Sequence, residues 1–192
     1  MSIEDSIRLH LSAIRERVMS LRQEIIDAHI MISRTQYANL NGDVTLLDKG
    51  KATITTSVAD IQHLLRHGGS ACIKTNRLEH YDSTMAELAN YIRDLVDHAI
   101  VSHVTLHVFE SNHGTESFPM HTDPADVVLC MLDGSKTLDV DDGISPVSVL
   151  VTMDAPLYIP MHIPHKATND EDNIMLSIGI ERYTAEHIRN EG

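Results

Sequence analysis

His121 and Asp123, separated by one residue, are followed forty-four positions later by His165. Two imidazoles and one carboxylate are the ligand set of the facial triad that holds non-haem Fe(II) in oxygenases. On an extended strand, residues i and i+2 point to the same face, so an H-x-D pair can present both side chains to one ion. Three protein ligands on one face of an octahedral ion leave three positions for a bidentate keto acid and O2. His121, Asp123 and His165 are therefore the candidate metal ligands.

Other groupings compete for the role. His162 and His165 form H-x-x-H, a spacing that can suggest zinc, but in extended chain it points the rings apart, with Pro164 between them. Asp126 offers a second carboxylate, though i+5 from His121 suits strand alternation less well. The acidic stretch Asp139 to Gly143 has too few ligands at defined spacing for a Ca2+ loop and reads as a solvated hairpin. His113 lies in a Gly-containing loop, where solvation is the default and substrate contact the alternative. No phosphate-binding glycine loop or nucleophile elbow is present.

Elements that would position the triad can be read around it. Asp126 to Leu132 is an apolar run ending in the turn Asp133-Gly134, and Lys136 to Val140 reads as the next strand. Pro156 to Pro160 and Asn173 to Ile180 are two further strands. Short strands joined by turns, with a ligand at the mouth, predict a mainly β chain with N-terminal helices, closed as a jelly-roll or cupin barrel. Residues 3–32 read as one helix: Ile7, Leu11, Ile14, Val18, Leu21, Ile25, Ala28 and Ile32 alternate at spacings of four and three, a heptad seam. Ser2 with Asp5 forms a capping-box pattern. The seam would either cover the barrel or support a homodimer. Asn41-Gly42 marks a turn. Ser57 to Arg66 reads as a short helix stopped by Gly68-Gly69, and residues 83–98 as another helix.

The stretch from Gly114 to Lys136 resembles the core of JmjC-type, cupin-like Fe(II)- and 2-oxoglutarate-dependent oxygenases, and is most similar to the ribosomal oxygenase type. Leu157-Tyr-Ile-Pro-Met-His-Ile-Pro-His165 resembles the strand that carries the family's distal His, and Ile174 to Ile180 its closing strand. His67 to Lys74 and Glu79 to Asp82 resemble the segments leading into that barrel. The resemblance covers roughly residues 60–181 and implies a double-stranded β-helix with His121, Asp123 and His165 as iron ligands. Lys136 falls where the family grips the distal carboxylate of 2-oxoglutarate, and Ser177 matches a polar position facing that cosubstrate. His107 and Phe109 stand where relatives often carry Asn and Tyr, and are carried as candidate cosubstrate contacts. By the same resemblance the substrate is a protein or peptide side chain, with a free amino acid or small metabolite as the alternative. A cupin metalloenzyme without a keto acid, or a non-catalytic barrel, would not need Lys136.

The chain has 192 residues and a formal net charge of −13. That length suits one domain, divided here into a helical region 1–100 packed on a barrel core 101–183. The charge argues against nucleic-acid backbone binding. Cys72 and Cys130 lie in apolar stretches, so free thiols and a cytoplasmic location are expected. The first residues show no secretory leader pattern, and no apolar run reaches membrane-spanning length.

Overall fold

The computed structural model describes residues 1–33, 44–48, 51–54, 72–97, 99–115, 117–141 and 143–183. The elements are α1 (Ile3–Ser20), α2 (Arg22–Met31), β1 (Val44–Asp48), β2 (Lys51–Ile54), β3 (Cys72–Thr75), a 3-10 turn (Leu78–His80) and α3 (Ser83–Val96). They continue as β4 (Val101–Ser111), β5 (Asp126–Asp133), β6 (Lys136–Val140), β7 (Val147–Val151), β8 (Leu157–Ile159), β9 (His165–Thr168) and β10 (Asn173–Arg182). A seven-stranded sheet has the order β2-β1-β3-β4-β10-β5-β8, and a three-stranded sheet the order β7-β6-β9. All pairings are antiparallel. This is the mainly β, double-stranded β-helix architecture with N-terminal helices expected from the strand pattern. The Asn41-Gly42 turn and the 57–66 helix with its Gly68-Gly69 stop lie outside the described residues.

The central strands of the large sheet are covered on both faces, which explains their composition. β5 is buried from Asp126 through Leu132, as a strand covered on both sides must be. Val104, Leu106 and Val108 of β4, Val128, Cys130 and Leu132 of β5, and Leu176, Ile178 and Ile180 of β10 pack with the helices in one core. Alternation sends Phe109, Val127, Leu129 and Met175 to the other face, where they meet Leu138 and Val151 of the small sheet. The site lies between the two sheets.

The N-terminal seam is used within the chain. Ile7, Ile14, Val18 and Ile25 are fully buried in the helix-covered core, and Leu11 and Leu21 pack on it. Arg15 donates to Met153 O and pairs with Asp154, and Arg22 pairs with Asp133. The apolar face of the seam therefore covers the chain's own sheet. The helix is also not continuous. It breaks at Leu21 (φ −112°, ψ 15°) into α1 and α2. The Ser2–Asp5 capping box is present at its start. α3 ends at Val96 and is capped by Asp82, whose side chain accepts from the amides of Thr84 and Met85.

The region 1–100 is more than helices. β3 joins β4, β1 pairs with β3, and β2 pairs with β1, so the sheet extends well before position 101. The segments are short, and Val44, Thr45, Thr53 and Ile54 are the β-branched residues that favour strands. The buried seam makes a direct prediction. Ile14→Asp should unfold the chain or cost at least about 4 kcal/mol, because it removes core packing and buries a carboxylate. Urea denaturation would read this as a large fall in midpoint; a folded variant of unchanged stability would contradict it.

Candidate metal centre and cavity

The H-x-D segment is not part of a regular strand, contrary to the expectation of a strand position. Pro119 and Pro124 flank it, and proline cannot donate to a ladder. One isolated antiparallel bridge holds it instead. His121 N donates to His165 O at 3.1 Å, and His165 N donates to His121 O at 2.8 Å. His162 N adds a bond to Asp123 O at 3.0 Å. His162 adopts a left-handed backbone (φ 67°) in the turn that delivers His165 to the start of β9. These contacts bring residues forty-four apart in sequence face to face.

The side chains of His121, Asp123 and His165 place one ligand atom each within 4.8 Å of one another. His165 Nε2 stands 3.4 Å from Asp123 Oδ2, and His121 Nε2 stands 4.0 Å from Asp123 Oδ1. The other ring nitrogen of each histidine is already engaged. His121 Nδ1 faces Pro119 O at 2.9 Å, and His165 Nδ1 faces Ile163 O at 2.9 Å. A carbonyl at Nδ1 selects the tautomer that leaves Nε2 with a lone pair for a metal. The donor set and its support thus fit a divalent ion.

In the metal-free chain these groups perturb each other. The hydrogen bond from His165 is the main cause of a lowered Asp123 pKa, and burial opposes it. For His165, burial is the largest single influence and disfavours the charged ring. The Asp123 hydrogen bond, the Ile163 carbonyl and the Asp123 charge together outweigh it, and the pKa is raised. A protonated imidazole cannot ligate, so metal uptake must displace a proton from His165 at any pH below that raised value. Metal affinity should therefore weaken as pH falls through the raised His165 pKa, with Asp123, whose pKa is lowered, still ionised there. Calorimetric titration with Ni(II) at several pH values would show the trend; a flat affinity would contradict it.

The alternative ligands are accounted for. Asp126 is fully buried and accepts from Arg182 Nε at 2.6 Å, Arg182 Nη2 at 2.9 Å, Tyr158 Oη at 2.7 Å and Met161 N at 3.2 Å. It locks the barrel end and faces no metal position. His162 is exposed and stands outside the ligand group.

The triad opens onto a cavity of about 220 Å³. Lys136, Ser177, Phe109 and His107 all line it. Register explains the convergence: Ser177 pairs with His107, and Met175 with Phe109, so alternate residues of β4 and β10 share the inner face. Lys136 enters from the small sheet, immediately after the turn at Gly134. That glycine has φ 65°, and a Cβ there would stand 2.6 Å from Asp172 O. Lys136 is 1% exposed. Its Nζ lies 3.4 Å from Ser111 Oγ and 5.6 Å from the centre of the Phe109 ring. No described carboxylate pairs with it, and burial lowers its pKa. Such an ammonium is costly to bury alone. His107 carries a related signal. Its Nδ1 is buried without a hydrogen-bond partner among the described residues, and its pKa is lowered to about 3, first by burial and then by the nearby Lys74 and Arg77 charges. The neutral ring can donate to or accept from a ligand in the cavity.

Lys74 also lines the cavity, although the sequence reading assigned it no role. Its Nζ lies 5.2 Å from the Phe109 ring centre and 5.7 Å from that of Phe118. Burial lowers its pKa, and the Asp123 charge opposes this. Asn169 was missed as well. Its amide donates to Thr115 O at 2.7 Å and to Thr115 Oγ1 at 3.0 Å, tethering the loop that leads to His121.

No family model matches the chain, and no curated protein matches it. Solved structures do. The E. coli ribosomal oxygenase YcfD, in complex with cobalt and succinic acid, superposes with a TM-score of 0.61 at 19% identity, over 80% of this chain and 43% of that one. The same protein with cobalt and 2-oxoglutarate gives 0.60 at 18% identity, over 80% and 44%. A cupin from Shewanella frigidimarina matches 44% of this chain with a TM-score of 0.36 at 18% identity. The chain thus spans less than half the length of the ribosomal oxygenase whose barrel it shares.

Proposed function

We propose that this protein is an Fe(II)- and 2-oxoglutarate-dependent oxygenase that hydroxylates a protein or peptide side chain. The observation that carries the reading is the buried Lys136 ammonium, without a described carboxylate partner, in the same cavity as His121, Asp123 and His165. A metal alone leaves that cation unexplained. A dicarboxylate reaching from the metal to Lys136 accounts for both. The similar structures with cobalt and succinic acid or 2-oxoglutarate give independent support at the level of shared architecture.

His121, Asp123 and His165 would hold the iron, which when loaded supplies oxidation of an unactivated C–H bond coupled to keto-acid decarboxylation. The chain's own residues do the positioning. Lys136 would bind the distal carboxylate by a charge-assisted hydrogen bond, with Ser111 orienting its Nζ. Ser177 and His107 add polar contacts beside it, while Phe109, Leu129 and Leu138 exclude water. The Nδ1-bound carbonyls of Pro119 and Ile163 hold both imidazoles in the ligating orientation.

Lys74 gives a specific reason to keep a second reading. A second, half-buried cation in the same cavity suits an anionic small substrate, such as a free amino acid. Succinate formation with Fe(II) and 2-oxoglutarate, across a panel of peptides and amino acids, tests both. Stimulation by peptides supports the first, and stimulation by amino acids alone the second. No 2-oxoglutarate turnover with any of them would leave a cupin enzyme independent of the keto acid.

A further inference from the structure

Away from the cavity, three side chains with metal-binding atoms converge at an edge of β4. Glu79 and His80 come from the 3-10 turn, and His103 from β4. β3 pairs with β4 only over Val108 to Ser111, so the earlier part of that edge meets the 3-10 turn instead. There, the amide of Leu106 donates to Glu79 Oε2 at 2.9 Å. This bond alone would make Glu79 an edge cap. It does not explain the other oxygen. Glu79 is 9% exposed, and its Oε1 is buried with no hydrogen-bond partner among the described residues.

Both imidazoles face that oxygen. His80 Nε2 lies 3.7 Å from Glu79 Oε1, and His103 Nε2 lies 3.8 Å from it. These separations are too long for hydrogen bonds. They are close to what a shared ion requires: with bonds of about 2.0–2.1 Å, neighbouring donors in a tetrahedral zinc site stand roughly 3.3 Å apart. All three ligand atoms lie within 4.8 Å of one another, beside a cavity of about 180 Å³. The histidine side chains are about half exposed, which leaves a path for entry.

We propose that Glu79, His80 and His103 form a second metal site, distinct from the triad, that takes a divalent cation of zinc type. Three protein ligands leave one tetrahedral position open. Arg93 lines the same cavity, and its positive charge favours an anion, such as hydroxide or chloride, as the fourth ligand. Bound metal would fasten the 3-10 turn to the edge of β4, so its first effect is on stability.

The test separates this site from the oxygenase centre. In a full-length Asp123→Ala/His165→Ala variant the triad is disabled, and zinc retained after dialysis reports the second site alone. The expected result is about one zinc per chain, with a melting temperature that rises on adding Zn(II) and saturates near one equivalent. Adding His103→Ala, at an exposed position, should abolish both effects with the circular dichroism spectrum unchanged. Adding His113→Ala, on a distant loop, should alter neither. Glu79→Gln keeps an acceptor for the Leu106 amide and should weaken zinc binding tenfold or more. The proposal is overturned if the triad-disabled chain holds no zinc, or if it holds zinc equally well with His103→Ala.

Discussion

Asp123→Ala is expected to abolish turnover and to reduce metal occupancy more than any other single change in the cavity. Asp123 is the anionic member of the triad and the group both imidazoles face. Without it, two imidazole nitrogens remain, and an ion held there would lose its one charged protein ligand. Losing even an outer-shell partner typically costs about 10–100-fold in metal affinity, so loss of a direct carboxylate ligand should exceed that range. Ni(II) or Fe(II) titration of purified protein measures it. Full occupancy in the Ala variant would place the metal elsewhere, and Asp126 could not substitute, since Arg182 and Tyr158 already hold its oxygens.

Lys136→Met is expected to have opposite effects on stability and on cosubstrate affinity. The lysine is almost completely buried, and burial disfavours its charged form. Methionine fills similar volume without an ammonium, so the ligand-free chain should be as stable as the parent or more stable. The cosubstrate loses its charge-assisted bond. A loss of about 1.5–3 kcal/mol corresponds to roughly ten- to more than a hundredfold in the 2-oxoglutarate concentration needed for half-maximal turnover. Metal binding should be nearly unchanged, because Lys136 makes no contact with the triad in the hydrogen bonds described. Unchanged 2-oxoglutarate dependence would move the anchor to Lys74 or remove the keto acid from the reaction.

What the sequence revealed follows from how local each signal is. α3 was legible because its apolar spacing, Met85, Leu88, Ile92 and Val96, lies within one short segment; its Asp82 cap emerged only with the structure. β5 was legible as a continuous apolar run because both of its faces are covered. The break at Leu21 was not, since neither Gly nor Pro stands near it and the heptad spacing runs straight through. β1 to β3 are short, and only the pairing of β3 with the long β4, extended through β1 to β2, identifies their role. The candidate ligands could be picked out by type and spacing, although the prolines that keep His121 out of a regular strand were not weighed. Lys74 shows the limit most clearly. In Cys72-Ile-Lys-Thr75 a lysine between two β-branched neighbours looks like an ordinary solvent-facing position. Only the tertiary register, which sets it opposite Phe109, turns it into the cavity.

The turn at Gly134 has a bearing on which chain lengths the barrel can tolerate. Its left-handed backbone and the closeness of Asp172 O leave no room for a larger residue, and Lys136 starts β6 two positions later. Strand alternation has a period of two, so inserting or deleting a single residue between Gly134 and Lys136 would turn β6 inside out. The ammonium would move to the outer surface, and a neighbour would take its place in the cavity: Thr137 after a deletion, the residue before Lys136 after an insertion. Loop-length variation in this barrel should therefore be accepted at the open turn around Gly143, where a Cβ would meet nothing within 4 Å, and rejected at Gly134.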